Sequence, residues 1–338
     1  MKKLFTVLFV AMLSFAVFAT GATEATTNEV VTLKLGTQAP PSTPLYVWAE
    51  AYGEALNEVS GGKMTVEVVG SSALGTTAQH YAQLSQGALD IFLTGFDSAA
   101  IMKDGSDFNI FVMPYAFDDV NHFVRFVDSD AYKEMCAKVE NTNKVHFMGL
   151  LTIGNPRGLS TTNVEVKSVA DVKNLKIRVP DCTAQIEVWK AWGANPVIIS
   201  AADLYTSLES GICDGQENPL DATVMSGYLE VQHYYTELDY IHQGTVLWMS
   251  QQTYDKLSDQ QKQWTEEARA KVYEKLSAET LSNLAAKRQQ AIDAGMVVHT
   301  DDFDIDSFKK IAEQMVPEFE GKLFSVGLFE KVRALSNK

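Results

Sequence analysis

Two arginines and one polar triplet hold most of the chemical promise of this chain. Arg178 lies in LKIRVP, where Leu175, Ile177 and Val179 fall on one side of an alternating run and Lys176 and Arg178 on the other. Pro180 ends that run, so Arg178 is expected at the carboxyl end of a strand, the end that borders the ligand crevice in open α/β sheets. Arg157 closes the apolar run of LLTIGNPRGLSTT, next to Gly158. The planar fork of a guanidinium grips a carboxylate through two parallel charge-assisted hydrogen bonds. Pattern alone also fits strand arginines that face solvent. The triplet lies in GICDGQENPLDA, Gly211 to Ala222: Asp214-Gly215 is a turn signal, Gln216, Glu217 and Asn218 follow it, and Pro219 closes it. Three consecutive hydrogen-bonding side chains at what reads as a strand end need a reason.

Signatures of catalysis are missing. The sequence contains no G-x-G-x-x-G, G-x-x-x-x-G-K-[ST], G-x-S-x-G or H-E-x-x-H. Its six histidines are scattered, with no i, i+4 pair and no cysteine beside them, which gives zinc no support. The carboxylate pairs Asp118-Asp119 and Asp301-Asp302 sit in polar turns and read as solvent-facing. GSSALG, Gly70 to Gly75, lacks a lysine and reads as a strand-to-helix loop rather than a phosphate cradle. No cofactor, no metal and no enzyme activity is expected.

The elements that must position the arginines form two similar sets. NEVVTLKLGTQ alternates as a strand, and STPLYVWAEAYGEALNEVSGG follows as a helix with Pro44 early and Gly61-Gly62 as its stop. KMTVEVVG, GTTAQHYAQLSQG and ALDIFLTG then read as strand, helix and strand, and this βαβαβ order argues a mainly parallel sheet. The pattern returns as LKIRVP, a helix from Thr183 to Trp192 stopped by Gly193, the strand-like PVII, and a helix over SAADLYTSLESG capped by Ser200 and stopped by Gly211. From Ser258 to Ala294 there is neither Pro nor Gly; Ser258 and Gln261 fit a capping box and Gly295 a stop. That predicts one long helix running along both units, with two helices and a non-glycine bend as the alternative.

Composition narrows the partners. The 338 residues, 46% hydrophobic, carry a formal charge of −15, and no basic cluster offers a nucleic-acid face. Lys2 and Lys3, the apolar run Leu4 to Phe18 and small residues near Ala19 or Ala22 read as a secretory signal peptide, too short for a membrane span. The mature chain is expected to be exported, without stable membrane insertion. Cys136, Cys182 and Cys213 are an odd number, so no disulfide framework is implied, although Cys182 with Cys213 is conceivable.

In order and spacing, VADVKNLKIRVPD, WGANPV, ADLYTSLESGICDGQENPLDA and YLEVQHYYTELDYIH resemble the solute-binding proteins of tripartite ATP-independent periplasmic (TRAP) transporters. SSALGTTAQHYAQLSQGALDI, VMPYAFDDVNHF, GNPRGLSTT and QTYDKLSDQQKQWTEEA extend the likeness over nearly the whole mature chain. The resemblance implies a two-lobed α/β periplasmic binding protein-like fold with mainly parallel sheets, hinge crossings and a long helix spanning both lobes. It implies closure around a small organic acid, such as a sugar acid, uronate or dicarboxylate, and delivery to TRAP permease subunits. Residues 1–22 would be the signal peptide, 28–154 plus 244–282 lobe I, and 155–243 plus 283–338 lobe II. The family's carboxylate-gripping arginine falls on Arg178 and its second cleft arginine on Arg157. Asn218, Gln38 and Asp181 match further ligand positions, and Thr94, Gly95 and Gln243 should border the cleft. On this view Asp214-Gly215 makes a turn, Asn218 offers its amide to a ligand or to Arg178, and Gln216 and Glu217 brace the hinge or the arginines. Where many relatives carry an aromatic residue this chain has Ala201, and an acidic contact of some members falls near Gly95. Tyr46 or Trp48 is the weak candidate for the missing ring. A ligand-sensing module and a secreted α/β enzyme are the competing functions.

Overall fold

The computed structural model describes residues 30–41 and 43–336. The signal-peptide reading lies outside the described residues.

The chain builds two sheets. Strands β1 (Val31–Gly36), β2 (Met64–Val69), β3 (Ile91–Gly95), β4 (Val145–Ile153) and β10 (Gly244–Ser250) form the first, in the order β2-β1-β3-β10-β4. Strands β5 (Arg157–Thr161), β6 (Lys176–Val179), β7 (Asn195–Ile198), β8 (Gly215–Asn218), β9 (Tyr234–Ile241) and β11 (Val297–His299) form the second, in the order β11-β9-β5-β8-β6-β7. The βαβαβ units pair in parallel: β1 with β2 and β3, and β6 with β7 and β8. Each sheet is nonetheless mixed, because β10 and β5 run antiparallel to their neighbours. These strands are the ones that arrive through the two short strand-to-strand connections between sheets, residues 154–156 and 242–243; the long helical stretch makes a further crossing from β10 to β11.

Local signals account for the helix ends. Pro44 opens the helix Pro44–Val59, where its missing N–H costs nothing. Thr76 and Gln79 form a capping box at Thr77–Gln86, which Gly87 ends at φ 72°. The helix expected from Ser200 starts later, at Leu204, because Ser200 forms a preceding turn with Asp203 (Oγ to Oδ2, 2.6 Å). The long stretch is two helices, Asp259–Ser282 and Leu284–Asp293, parted at Asn283. The break has a tertiary cause. The carbonyl of Thr280, which would accept from Leu284 in a continuous helix, accepts instead from Asn155 Nδ2 at 3.1 Å. The first piece packs on β4 and on Pro44–Val59, the second on β11 and on Leu220–Met225, so the pair runs along both sheets.

An aromatic cluster, Phe96, Phe108, Phe111, Phe123, Tyr132 and Trp248 among its members, fills one side of the first sheet and continues through Trp189, Trp192 and Tyr240 to the second. The C-terminal stretch crosses back to the first half: Ser325 N donates to Asp107 Oδ1 at 2.7 Å, and His122 Nε2 lies 2.8 Å from the Val332 carbonyl. Cys136, Cys182 and Cys213 are free and buried. No helix among the described residues is long and apolar enough to cross a membrane, and no group of three or more His, Cys, Asp or Glu among them could hold a metal ion.

Candidate functional site

The carboxyl ends of β1, β3, β6 and β8 and the starts of β5 and β10 meet around the two connections, which touch where Gly154 N donates to the Gln243 carbonyl at 2.9 Å. This is the topological place for a ligand crevice.

Strand β8 is the central element. Gly215 is its first residue, not a turn: a Cβ there would stand 2.4 Å from the Ser160 carbonyl of the neighbouring strand, so only glycine lets β5 and β8 approach this closely. Gln216, Glu217 and Asn218 are therefore strand residues whose side chains are all consumed near the arginines. Asp214, before the strand, accepts from Lys176 N through Oδ2 at 2.8 Å and ties β8 to β6.

Arg157 has its charge matched by Glu217. Its Nε donates to Glu217 Oε2 at 2.5 Å and its Nη2 to Glu217 Oε1 at 2.7 Å, a two-pronged pair. Nη2 also donates to the Glu217 carbonyl (2.7 Å) and to Asn218 Oδ1 (3.0 Å), and Nη1 to Gln243 Oε1 (2.6 Å). Glu217 has no exposed surface; Tyr240 Oη donates to its Oε2 at 2.7 Å and Gln185 Nε2 to its Oε1 at 3.3 Å. Burial by itself disfavours a charged Arg157, but the charge and hydrogen bonds of Glu217 outweigh it and raise the guanidinium's pKa.

Arg178 is the opposite case. It is 6% exposed, and its hydrogen bond is Nε to the Ile199 carbonyl at 2.8 Å. No carboxylate forms an ion pair with it among the described residues. Burial, with Arg157 adding like-charge repulsion, lowers its pKa against the pull of Glu217. It stands abreast of Gln216 in the β6–β8 register, while Ile177 and Val179 on the other face belong to the core. Tyr228 and Cys213 lie close enough to feel its charge.

The other sequence candidates are spread around this pair. Asn218 donates through Nδ2 to Gln216 Oε1 at 2.5 Å as well as accepting from Arg157, so its amide serves Arg157 and Gln216 and not Arg178. Thr94 and Gly95 end β3 opposite Val246 and Thr245. Gln38, just past β1, accepts from Thr77 Oγ1 at 2.8 Å. Asp181 is exposed two residues beyond β6. Gln38 and Asp181 bond to neither arginine. Tyr46 lies over Gly70, and Trp48 packs against the core of the first sheet. Asp97 is a further crevice residue that no sequence motif marks. It lies two residues past β3, is half-buried, and holds Oδ1 over Gly95, 2.8 Å from where a Cβ on that glycine would be. A carboxylate two residues past a strand end that borders the crevice was the signal that could have found it.

The family model for bacterial extracellular solute-binding proteins, family 7 (DctP), matches residues 35–322. The chain belongs to that family. This DctP-family protein is thus a periplasmic solute-binding protein of TRAP transport and not an enzyme. It is 30% identical over 248 residues to the sialic acid-binding periplasmic protein SiaP of Vibrio cholerae, covering 73% of this chain and 76% of the relative. It is 27% identical over 275 residues to a solute-binding protein of Roseobacter denitrificans, covering 81% of this chain and 83% of the relative. A TRAP periplasmic solute-binding protein from that organism, solved with L-galactonate bound, superposes with a TM-score of 0.78 at 25% identity, over 91% of this chain and 99% of that one. One from Fusobacterium nucleatum, with sn-glycerol-3-phosphate bound, gives 0.83 at 21% identity over 90% and 96% and speaks to the fold alone.

Proposed function

We propose that this DctP-family protein is the exported receptor of a TRAP transporter, and that it captures an organic acid by pairing the acid's carboxylate with Arg178. The acid is a sugar acid, a uronate or a dicarboxylate, and the loaded protein hands it to membrane permease subunits. The observation that carries this reading is the contrast between the arginines. Arg157 spends its fork on Glu217, whereas Arg178 is buried beside it without a carboxylate. A buried guanidinium without a countercharge is costly, and an incoming carboxylate removes that cost. Ligand therefore favours the closed arrangement of the two sheets over an open one by its differential affinity. A neutral sugar of the same shape lacks this lever.

Glu217, Asn218 and Gln243 hold Arg157 as a fixed floor of the crevice, with Gln38, Asp181, Thr94 and Gly95 as its remaining borders. Supporting the choice of ligand, the Roseobacter denitrificans structure contains L-galactonate and the Vibrio cholerae relative is named for sialic acid.

Calorimetric titration of Arg178→Ala against sugar acids tests the reading. Two charge-assisted hydrogen bonds at ~1.5–3 kcal/mol each set an expected loss of at least ~100-fold in affinity. The variant's circular dichroism should match that of the wild type. Tight binding by a folded Arg178→Ala protein overturns the assignment.

A further inference from the structure

We infer that the crevice selects for charge number: it accepts a hydroxylated acid bearing one negative charge, and Asp97 is the residue that turns away a second. The inference rests on the proposed pairing of Arg178 with a ligand carboxylate and narrows the class of acid that pairing serves.

The charges at the crevice can be followed one by one. Arg157 and Glu217 neutralise each other through two short bonds, so neither has a countercharge to give. Arg178 is then the cation with a charge to share, and one carboxylate satisfies it. Asp97 remains. Its carboxylate makes no ion pair or hydrogen bond with another side chain among the described residues, and it sits over Gly95 at the end of β3, near enough to Arg157 and Glu217 to sense both. Asp181 adds another acid at the rim but is exposed, where water screens it. The remaining borders, Gln38, Thr94, Asn218 and Gln243, are neutral.

A ligand with one carboxylate completes Arg178 and presents hydroxyl donors, which an unpaired Asp97 carboxylate accepts. A dianion brings a second negative charge into the same desolvated space. It finds Arg157 already paired with Glu217, and Asp97 repels it. Like charges set against a wrong ligand exclude it more sharply than a lost contact does. Burial pushes the Asp97 carboxyl up from the usual carboxylate range and Arg157 opposes it, so the repulsion strengthens as pH rises and the carboxyl ionises.

The test is calorimetric titration of the purified protein with three matched triads of four-, five- and six-carbon chains. Each triad holds the aldonate, the aldarate and the alditol of one skeleton, with one, two and no negative charges. At least one aldonate should bind ~30-fold or more tighter than its aldarate and its alditol. In Asp97→Asn the aldonate-to-aldarate ratio should fall ~10-fold or more, through gained aldarate affinity. Equal or tighter aldarate binding by the wild type overturns the inference, as does an unchanged ratio in Asp97→Asn or binding by none of the aldonates. Failure here is separable from failure of the arginine reading. If an aldarate wins and Arg178→Ala abolishes it, only the charge selection falls; if Arg178→Ala binds aldonates as the wild type does, the pairing itself falls.

Discussion

Asn155 Nδ2 lies 2.9 Å from Asp221 Oδ2 and 3.1 Å from the Thr280 carbonyl, so one amide on the first connection ties the helix Leu220–Met225 to the end of the long helix Asp259–Ser282. All three parts meet where the sheets join, and the helix breaks at that point. Asn155 and Asp221 are both nearly inaccessible. Burial pushes the Asp221 carboxyl up and the Asn155 amide holds it back, so the carboxylate depends on its partner.

Asn155→Ala should therefore cost ~2 kcal/mol, because it strands a buried carboxylate oxygen and frees the Thr280 carbonyl. A drop of ~3 °C in melting temperature follows for a chain of 338 residues. Asn155→Asp should be worse, since it sets two carboxylates side by side. Thermal unfolding of both variants checks the order; an Asn155→Ala protein as stable as the wild type would show that the bond is incidental.

The pair Arg157–Glu217 gives a second prediction. Removing the acid as Glu217→Ala leaves a buried guanidinium uncompensated, for a cost of ~3–5 kcal/mol. Glu217→Gln keeps part of the hydrogen bonding to Arg157 and Tyr240 and should cost less. Arg157→Lys should approach the alanine variant, because an ammonium cannot reproduce the fork that reaches both Glu217 oxygens, Asn218 and Gln243. Urea unfolding ranks the three. Equal stability of Glu217→Ala and wild type would remove the electrostatic role given to this pair.

Much of this arrangement is legible in the sequence. Helix stops at Gly87, Gly193 and Gly211 and the capping box at Ser258 are local events, and local chemistry writes them into consecutive residues. Arg178 at the end of β6 follows from alternation and Pro180. What could not be read is what depends on partners distant in sequence. Nothing between Ser258 and Ala294 announces a break at Asn283, because its cause, Asn155, lies 125 residues earlier than the carbonyl it captures. Asp214-Gly215 reads as a turn because glycine is usually a turn residue; here the approach of Ser160 demands it inside a strand. Asp97 carries no motif, and its neighbourhood exists only once β3 is set beside β10.

A third prediction concerns Gly158, between Arg157 and the rest of β5. A Cβ at this position would stand 2.5 Å from both the Thr236 carbonyl and Tyr235 Oη. Tyr235 Oη also donates to the Asn218 carbonyl at 2.8 Å, so it cannot withdraw freely. Gly158→Ala should cost ~1–3 kcal/mol through overpacking and weaken ligand binding with it, because β5 and β8 carry Arg157 and Asn218. Denaturant unfolding and titration on the same preparation test the linkage; lost stability with unchanged affinity would separate the strand from the site.

The second connection carries a titratable group, His242, beside Gln243. Its imidazole is 8% exposed and its Nδ1 is buried without a hydrogen-bond partner. Burial pushes its pKa down to about 4, against the pull of Asp119 and Asp118 and with help from His122. In the unfolded chain it titrates near the usual ~6.5. Between these values the unfolded state binds more protons, so this group's contribution to stability is full above ~6.5 and is lost as pH falls toward 4. The loss amounts to roughly 3 kcal/mol at most. Asp97 and Asp221, whose pKa values are raised, act in the opposite sense, gaining stability on acidification. They titrate in wild type and His242→Gln alike, so the difference between the two proteins isolates the histidine. Melting temperatures taken from pH 7 to pH 4 should fall more steeply for the wild type than for His242→Gln. Parallel curves would mean that the connection between the sheets admits a proton without strain, and that His242 is not held neutral by its burial.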